Sequence, residues 1–312
     1  MRASCLFLLF LAVPLCSGEF PTSLYAFPGK APSIDGVISP GEWDDATQFY
    51  GVETWTPQFS KTVDANDLSL HGYVKHDGTR LYFAFEVVDD VLYGIDTPRW
   101  LPSNNAKAHE LTREGWPWFG DEMELLINAA NKWSGNENAA GDGSSWQMVV
   151  NLTKSRLGGV GKGGLLEGEP RSKEAAWNKY REWIESGAMQ AAAKPFDMNR
   201  RLKDKRKGYV IEWAVNFNPC LEVEPGKFYT TAMGNRPMGL NIALGDLDEM
   251  ERGQGNFGNF HHEDWFAGHK DVRTQLREWG TLWMMSGERV ERTAPPAPVA
   301  APPPAAKKRK KR

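Results

Sequence analysis

Short runs of alternating apolar and polar residues, separated by turn residues, recur from Ile34 to Leu282. A period of two is that of a half-buried β-strand, whereas no long stretch has the period of an amphipathic helix. The clearest run, Leu81–Val88, follows the turn His76-Asp77-Gly78-Thr79. Because Asp-Gly between two apolar runs is a strong hairpin signal, the pattern predicts an all-β chain.

Further runs with this alternation predict six more strands: Leu68–Lys75, Glu122–Asn128, Trp146–Leu152, Tyr209–Asn216, Phe228–Gly234 and Gly239–Leu244. The charged stretch from Leu165 to Gly208 differs from them. Within it, Trp177, Tyr180 and Ile184 recur at helical spacing. The sequence therefore predicts a short helical insertion near residues 170–190 that packs on the strands.

The two ends of the chain differ in composition from its body. Residues 1–18 join Arg2 to an apolar run and end on small residues, which predicts a secretory signal peptide. Residues 291–312 are Pro/Ala-rich and end in six consecutive basic residues, which predicts a disordered tail. Residues 19–290 then form one domain, in a protein that is secreted, periplasmic or held at the cell surface.

Charge and cysteine content narrow the function classes. Cys5 and Cys16 fall in the predicted signal, so Cys220 alone remains in the body and no intramolecular disulfide can form there. Without Arg2 and the basic tail, the body is more acidic than the net charge of −3 for the whole chain. This balance argues against a nucleic-acid partner. No segment is apolar enough to span a membrane, and the basic tail is expected to attract an anionic surface weakly.

Strand alternation groups polar side chains on one face. In 122–128, Met123, Leu125 and Ile127 point one way, while Glu122, Glu124 and Asn128 point the other. In 146–152 the apolar residues alternate with Gln147 and Asn151. If both strands lie in one sheet, Glu124, Gln147 and Asn151 could line a shallow groove.

Three tryptophans stand in turn-rich loops, where an indole is hard to bury: Trp116, Trp118 and Trp265. Trp213, Trp279 and Trp283 instead occupy packing positions. An exposed indole stacks on the C–H face of a pyranose, and carboxylate and amide groups beside it bind sugar hydroxyls. Since Trp118 lies just before Asp121, these residues predict a sugar site.

Six segments in order resemble the family 9 carbohydrate-binding modules, which are often appended to xylanases and other secreted glycan-degrading enzymes. The segments are Ile34–Trp43, Leu81–Phe83 with Val88–Asp90, Gly120–Leu125, Gly208–Trp213, Gly239–Ile242 and Trp279–Leu282. The resemblance implies a two-sheet antiparallel β-sandwich that binds an oligosaccharide or polysaccharide, in the context of extracellular carbohydrate catabolism.

The resemblance also implies roles for single residues. A pair of Trp residues clamps the sugar in the family, and here Trp118 and Trp265 take those places. Glu124 matches the polar sugar ligand, with Gln147 and Asn151 on the neighbouring strand. Val149 stands where an Arg is expected, which puts reducing-end specificity in doubt. The family binds structural calcium, although the run Asp246–Glu249 lacks the Gly and spacing of an EF-hand loop.

Two other functions remain open from the residues. A glycoside hydrolase would need a carboxylate pair, for which Asp121, Glu124, Glu263 and Asp264 are candidates. A secreted metal- or haem-binding sandwich could use the His261–Asp264 run with His269, read here as a short loop. No catalytic residue and no further cofactor is assigned.

Overall fold

The computed structural model describes residues 23–50, 56–57, 68–92, 121–131, 145–152, 162–163, 182–196, 207–247, 260–264 and 279–287. The strands in the first half are Ser23–Ala26 (β1), Thr47–Tyr50 (β2), Thr56–Pro57 (β3), Leu68–His76 (β4), Arg80–Asp89 (β5), Glu122–Asn128 (β6), Ser145–Asn151 (β7) and Lys162–Gly163 (β8). Those in the second half are Met189–Pro195 (β9), Gly208–Asn216 (β10), Glu222–Glu224 (β11), Lys227–Phe228 (β12), Arg236–Leu247 (β13), Phe260–Asp264 (β14) and Gly280–Met284 (β15).

These strands form two large sheets packed face to face, which confirms the all-β sandwich. The eight-stranded sheet has the order β1-β15-β13-β6-β7-β8, with β14 pairing β13 and β3. The five-stranded sheet has the order β2-β4-β5-β10-β9, and β11 and β12 form a separate hairpin. Among the described strand pairs, β1 and β15 alone run parallel; Ser23 lies beside Thr281 and Ala26 beside Met284.

The core lies between the two sheets because one face of every long strand is apolar. β5 contributes Phe83 and Phe85, and β6 contributes Met123, Leu125 and Ile127. Trp213 is fully buried there, in agreement with its predicted packing role. The predicted Asp-Gly turn joins β4 to β5, and Gly78 adopts φ +95°, a conformation that side-chain-bearing residues rarely reach.

Six of the seven predicted strands are present, with ends that shift by a few residues. The prediction for Phe228–Gly234 is wrong, because only Phe228 lies in a strand and Thr231–Met233 form a 3₁₀ helix. Hydrogen bonds from Met233 N to Thr230 O (3.0 Å) and from Gly234 N to Thr231 O (3.0 Å) close that turn.

Two short helical segments complete the described structure, at residues 182–185 and at Phe217–Cys220. The first is the end of the predicted helical insertion; most of that insertion lies outside the described residues. Its Trp183 is buried in the core, where its ring lies 4.2 Å from that of Trp146. The segment therefore packs on the sandwich as predicted. No helix among the described ranges is long and apolar enough to cross a membrane.

A segment of residues 29–46, the cover segment, lies on the outer face of the five-stranded sheet. Ile38 and Trp43 pack there against Tyr73, Tyr82 and neighbouring apolar residues in a second buried cluster. The sheet therefore buries residues on both of its faces. The predicted signal peptide and basic tail fall outside the described residues.

Two buried polar side chains of the sheet hold the cover segment. Lys75 Nζ donates to Glu42 O at 2.6 Å and to Asp45 Oδ1 at 2.7 Å, and it lies 4.9 Å from the centre of the Trp43 ring. Glu212 Oε1 accepts from Trp43 Nε1 at 3.0 Å. Its Oε2 accepts from two backbone N–H groups of residues 35 and 36, at 2.9 and 2.8 Å.

Candidate functional site

The predicted site residues are described to different extents. Trp116, Trp118 and Trp265 lie outside the described residues, so their roles stay predictions. For Gln147 and Asn151 the structure describes only the backbone position in β7. For Glu124 it also describes the side chain. β6 and β7 are adjacent strands of one sheet, as the groove hypothesis requires.

The register between β6 and β7 fixes how the predicted positions relate. Asn151 pairs with Glu122, and Gln147 pairs with Leu126. Val149, the position where the resemblance leads us to expect Arg, pairs with Glu124. Gln147 and Asn151 therefore each lie two residues from the position opposite Glu124, one on either side of it.

The outer face of β6 carries a row of buried polar residues. Glu122 and Glu124 are 0% and 1% exposed, and Asn128 is 2% exposed. Across the sheet β13 adds Asn241, which pairs with Leu126 and is fully buried. This differs from the shallow, solvent-lined groove expected from alternation, because that pattern assigns a face to each side chain and says nothing of what covers it. We call these four residues the polar floor.

Glycine and apolar residues of β13 and its neighbours shape this floor. A Cβ at Gly245 would lie 2.5 Å from Glu122 Oε1, so the glycine leaves the space that the carboxylate occupies. Leu126, Ala243 and Trp279 form a small apolar cluster on the same face. Trp279 is 7% exposed, which agrees with its predicted packing role. This face thus combines polar side chains with an apolar patch, and all of these residues are buried.

Asn241 is the floor residue to which no role was assigned from the sequence. It lies in the motif Gly239-Leu240-Asn241-Ile242, and its neighbours Leu240 and Ile242 face the core. A polar residue between two core residues is a usable signal for the opposite face. Pairing with β6 could not be read from the sequence, since β6 and β13 are far apart in the chain.

The candidate carboxylates for hydrolysis are separated by the sheet itself. Asp121 lies among the buried residues between the two sheets, whereas Glu124 belongs to the outer face of β6. Glu263 and Asp264 lie in β14, and their side chains are outside the described part. The His261–Asp264 run is likewise a strand, so the prediction of a short loop there is wrong.

Three buried aspartates converge at one end of the space between the sheets. Carboxylate oxygens of Asp89, Asp121 and Asp246 lie within 4.8 Å of one another. Asp89 comes from the five-stranded sheet and the other two from the eight-stranded sheet. Calcium binds oxygen ligands at about 2.3–2.6 Å, so oxygens on opposite sides of one ion are about 5 Å apart. The spacing therefore fits the calcium that the resemblance implies.

Tyr209 lies close to this cluster. Its hydroxyl is buried and has no hydrogen-bond partner among the residues that the structure describes. Burial raises the pKa of Tyr209 well above its ordinary value, and the charges of Asp121, Asp89 and Asp246 raise the pKa further. The hydroxyl thus lies in the field of the same three carboxylates that would hold the ion.

The comparisons with known proteins agree with the fold. Two solved structures of a family 9 carbohydrate-binding module from Caldicellulosiruptor kristjanssonii, one in complex with cellotriose and one with glucose, are similar to this chain. The cellotriose complex has a TM-score of 0.50 at 13% sequence identity, and the match covers 88% of this chain and 98% of the solved chain. The glucose complex has a TM-score of 0.51 at 13% sequence identity, and the match covers 88% of this chain and 100% of the solved chain.

The comparisons by sequence give no match. No family model matches the chain, and no curated protein matches it. The fold is therefore that of a family 9 carbohydrate-binding module, as the sequence motifs predict, while at this identity the likeness concerns the fold alone.

Proposed function

We propose that this protein is a secreted, non-catalytic binder of oligosaccharides or polysaccharides that works in extracellular carbohydrate catabolism. The observation that carries the proposal is the polar floor on the outer face of β6, within a fold that resembles modules solved with cellotriose and glucose. Trp118 stands three residues before Asp121, directly upstream of the strand that bears Glu122 and Glu124. An indole at that place would stack on a sugar held above the floor.

In this mechanism each part of the site has its own task. Trp118 and Trp265, with Trp116 near them, supply ring faces for pyranose C–H groups. Glu124, Gln147 and Asn151 supply hydrogen bonds to the hydroxyls. Ring stacking contributes roughly 1 kcal/mol per face, so a single site of this kind gives micromolar or weaker binding.

Calorimetry with cello- and xylo-oligosaccharides tests the proposed site. Trp118→Ala should weaken binding at least about five-fold, because one stacking face is lost. Trp118→Phe keeps a ring and should retain most of the affinity. Equal binding by wild type and Trp118→Ala would remove Trp118 from the site. A wild-type protein that binds none of these sugars would refute the proposed function.

The positions of the Asp121 and Glu124 carboxylates favour sugar binding over hydrolysis. Asp121 and Glu124 belong to opposite faces of the eight-stranded sheet. A glycosidase needs both of its carboxyl groups on the same cleft, about 5 to 9.5 Å apart. Release of reducing sugar from xylan or cellulose by the pure protein would contradict the non-catalytic assignment.

The calcium site has a structural task in this proposal. An ion held by Asp89, Asp121 and Asp246 would neutralise converging charge and tie the end of β5 to the start of β6 and the end of β13. Since Asp121 follows Trp118 by three residues, this tie would also fix the point from which the predicted sugar-binding loop departs.

Export is the remaining part of the proposal and rests on the sequence alone. Cleavage of the predicted signal would leave a mature chain that begins near residue 19. Mass spectrometry of the protein recovered outside the cell tests this directly. The basic tail would add weak attraction to an anionic surface, which elution from a cation-exchange resin with and without residues 291–312 can measure.

A further inference from the structure

Tyr50 is the most exposed large aromatic residue that the structure describes. Its side chain is 64% exposed, on the outer face of the edge strand β2. Tyr25, on the other sheet, is 42% exposed. An exposed aromatic ring on a strand is common, so exposure alone does not define a site.

Tyr50 is distinguished by contacts that hold its ring in one orientation. Its ring stacks on the His71 imidazole with centroids 4.3 Å apart and planes 14° from parallel. Its hydroxyl donates to Gln48 Oε1 at 2.9 Å. The ring is thus covered on one face by His71, and its exposed area belongs largely to the other face. A ring that is already fixed loses little conformational entropy when a ligand stacks on it.

The contacts continue inward to the buried cover segment. His71 Nε2 lies 3.2 Å from Gln48 Oε1, and His71 Nδ1 lies 3.0 Å from the Tyr73 hydroxyl. The Tyr73 ring lies 4.2 Å from that of His71 and 5.9 Å from that of Trp43. These rings therefore form a continuous row from the solvent-exposed Tyr50 to Trp43, which is buried in the cover segment. The row holds Tyr50 against a well-packed part of the fold.

One polar group that can bind hydroxyls, Gln48, lies beside the ring, whereas His71 and Glu86 lie behind its covered face. Gln48 is exposed, and its amide nitrogen carries two N–H donors. Glu86 is part of the same network, with Oε2 3.5 Å from His71 Nδ1 and 12% of its side chain exposed. A flat aromatic face beside an exposed amide has the chemistry that recognises a pyranose ring.

We propose that Tyr50 and Gln48, held in place by His71 and Glu86, form a second carbohydrate-binding surface, the Tyr50 platform, for the pyranose rings of a polysaccharide. This inference rests on the proposed function and adds a site to it. The Tyr50 platform lies on the outer face of the five-stranded sheet, whereas the polar floor lies on the outer face of the eight-stranded sheet. The two surfaces point away from each other, so one molecule can contact two chains of a polymer.

The platform matters most for an insoluble polymer, because there the two sites act together. When one site holds the polymer surface, the second binds at high effective concentration, and a weak contact then raises retention. A short soluble oligosaccharide occupies one site at a time. The platform therefore predicts a variant that loses polymer capture and keeps its affinity for a soluble trisaccharide.

Sedimentation with microcrystalline cellulose and insoluble xylan, beside calorimetry with cellotriose, tests this. Tyr50→Ala should weaken capture by at least one polymer about five-fold and leave the cellotriose affinity within two-fold of wild type. Tyr50→Phe keeps the ring and should retain capture within about two-fold. Tyr25→Ala removes an exposed tyrosine from an edge strand of the other sheet and is the matched control, expected to behave as wild type. Unfolding midpoints confirm that all variants are folded.

The platform is overturned if Tyr50→Ala is captured as well as wild type, or if Tyr25→Ala loses as much capture as Tyr50→Ala. Failure to capture either polymer by wild type also overturns it. The two proposals fail separately. Equal cellotriose binding by wild type and Trp118→Ala removes the Trp118 site and leaves the Tyr50 comparison intact, whereas equal capture with Tyr50→Ala removes the platform alone.

Discussion

Two groups of acidic residues lie on opposite faces of the five-stranded sheet, and their surroundings differ. Glu212 and the three aspartates between the sheets are buried, whereas Asp45 is partly exposed. Under the cover segment, Glu212 meets three N–H donors and Asp45 meets the Lys75 ammonium. Between the sheets, Asp89, Asp121 and Asp246 bring their oxygens within 4.8 Å of one another. The strand β10 takes part in both, with Glu212 facing outward and Tyr209 inward.

The difference shows two ways in which the unfavourable burial of a carboxylate can be offset. A single carboxylate can be stabilised by N–H groups of a folded segment, and that segment becomes fixed in return. Converging carboxylates repel one another, and a divalent cation is the partner whose charge and coordination match them. In the first case the stabilising groups are part of the chain itself. In the second case the stability of the fold depends on the concentration of a divalent cation.

Removal of the buried Lys75 ammonium should have the largest effect on the free energy of unfolding. Lys75→Ala removes a fully buried side chain, the donor to Glu42 O and Asp45 Oδ1, and the cation over Trp43, and should lower the free energy of unfolding by about 3 kcal/mol. Urea unfolding measures this. Lys227→Ala is the control, because its contact with Glu224 is exposed and should contribute less than about 1 kcal/mol. Similar losses in both variants would show that the cover segment does not depend on Lys75.

Glu212 should make the cover segment sensitive to pH. Burial raises the pKa of Glu212 from 4.5 to about 7, although the hydrogen bonds from residues 35 and 36 and from Trp43 act in the opposite direction. The folded state then holds a proton that the unfolded state has lost, so stability from this group falls as pH rises from 4.5 to 7. The loss would reach about 3 kcal/mol above that range.

Unfolding of wild type and Glu212→Gln at several pH values isolates this contribution. The neutral amide cannot titrate, so the stability difference between the two proteins should change across the window and level off above it. A difference that stays constant from pH 4.5 to 8 would contradict the assignment and leave the N–H donors as the dominant influence on this carboxylate.

Calcium should stabilise the wild type through the three aspartates, by about 2.7 kcal/mol when the ion is at 100 times its dissociation constant. Asp89→Asn should reduce or abolish this response. Asp90→Asn, at the exposed neighbouring position, should keep it. Terbium luminescence gives a direct readout of ion binding. A calcium response that is equal in both variants, or absent in wild type, would exclude this cluster as the ion site.

Much of the fold could be predicted from local pattern. Alternation identifies β4, β5, β6, β7, β10 and β13, and it assigns the inward and outward residues of β6 correctly. The failure at Phe228–Gly234 comes from local turn bonds that apolar alternation does not encode. Short strands such as β1 and β2 have too few residues for the pattern to be recognised.

The parts of the site that depend on distant pairing were harder to predict. Asn241 joins the polar floor through its pairing with β6, and the aspartates meet from separate strands of two sheets. The contiguous run Asp246–Glu249 contains one of the three converging aspartates, and the other two lie far from it in the sequence. The Tyr50 platform likewise depends on His71 and Glu86, which adjacent strands bring beside Gln48.

The parallel pairing of β1 with β15 affects the order of events during synthesis. Among the described strands, β1 has one neighbour in the eight-stranded sheet, β15 at Gly280–Met284, near the last described residues. A ribosome must therefore have produced nearly all of the described strands before that sheet can be closed at its edge. Until then the N-terminal strand leaves amide and carbonyl groups unpaired, and we expect such a nascent chain to be prone to aggregation.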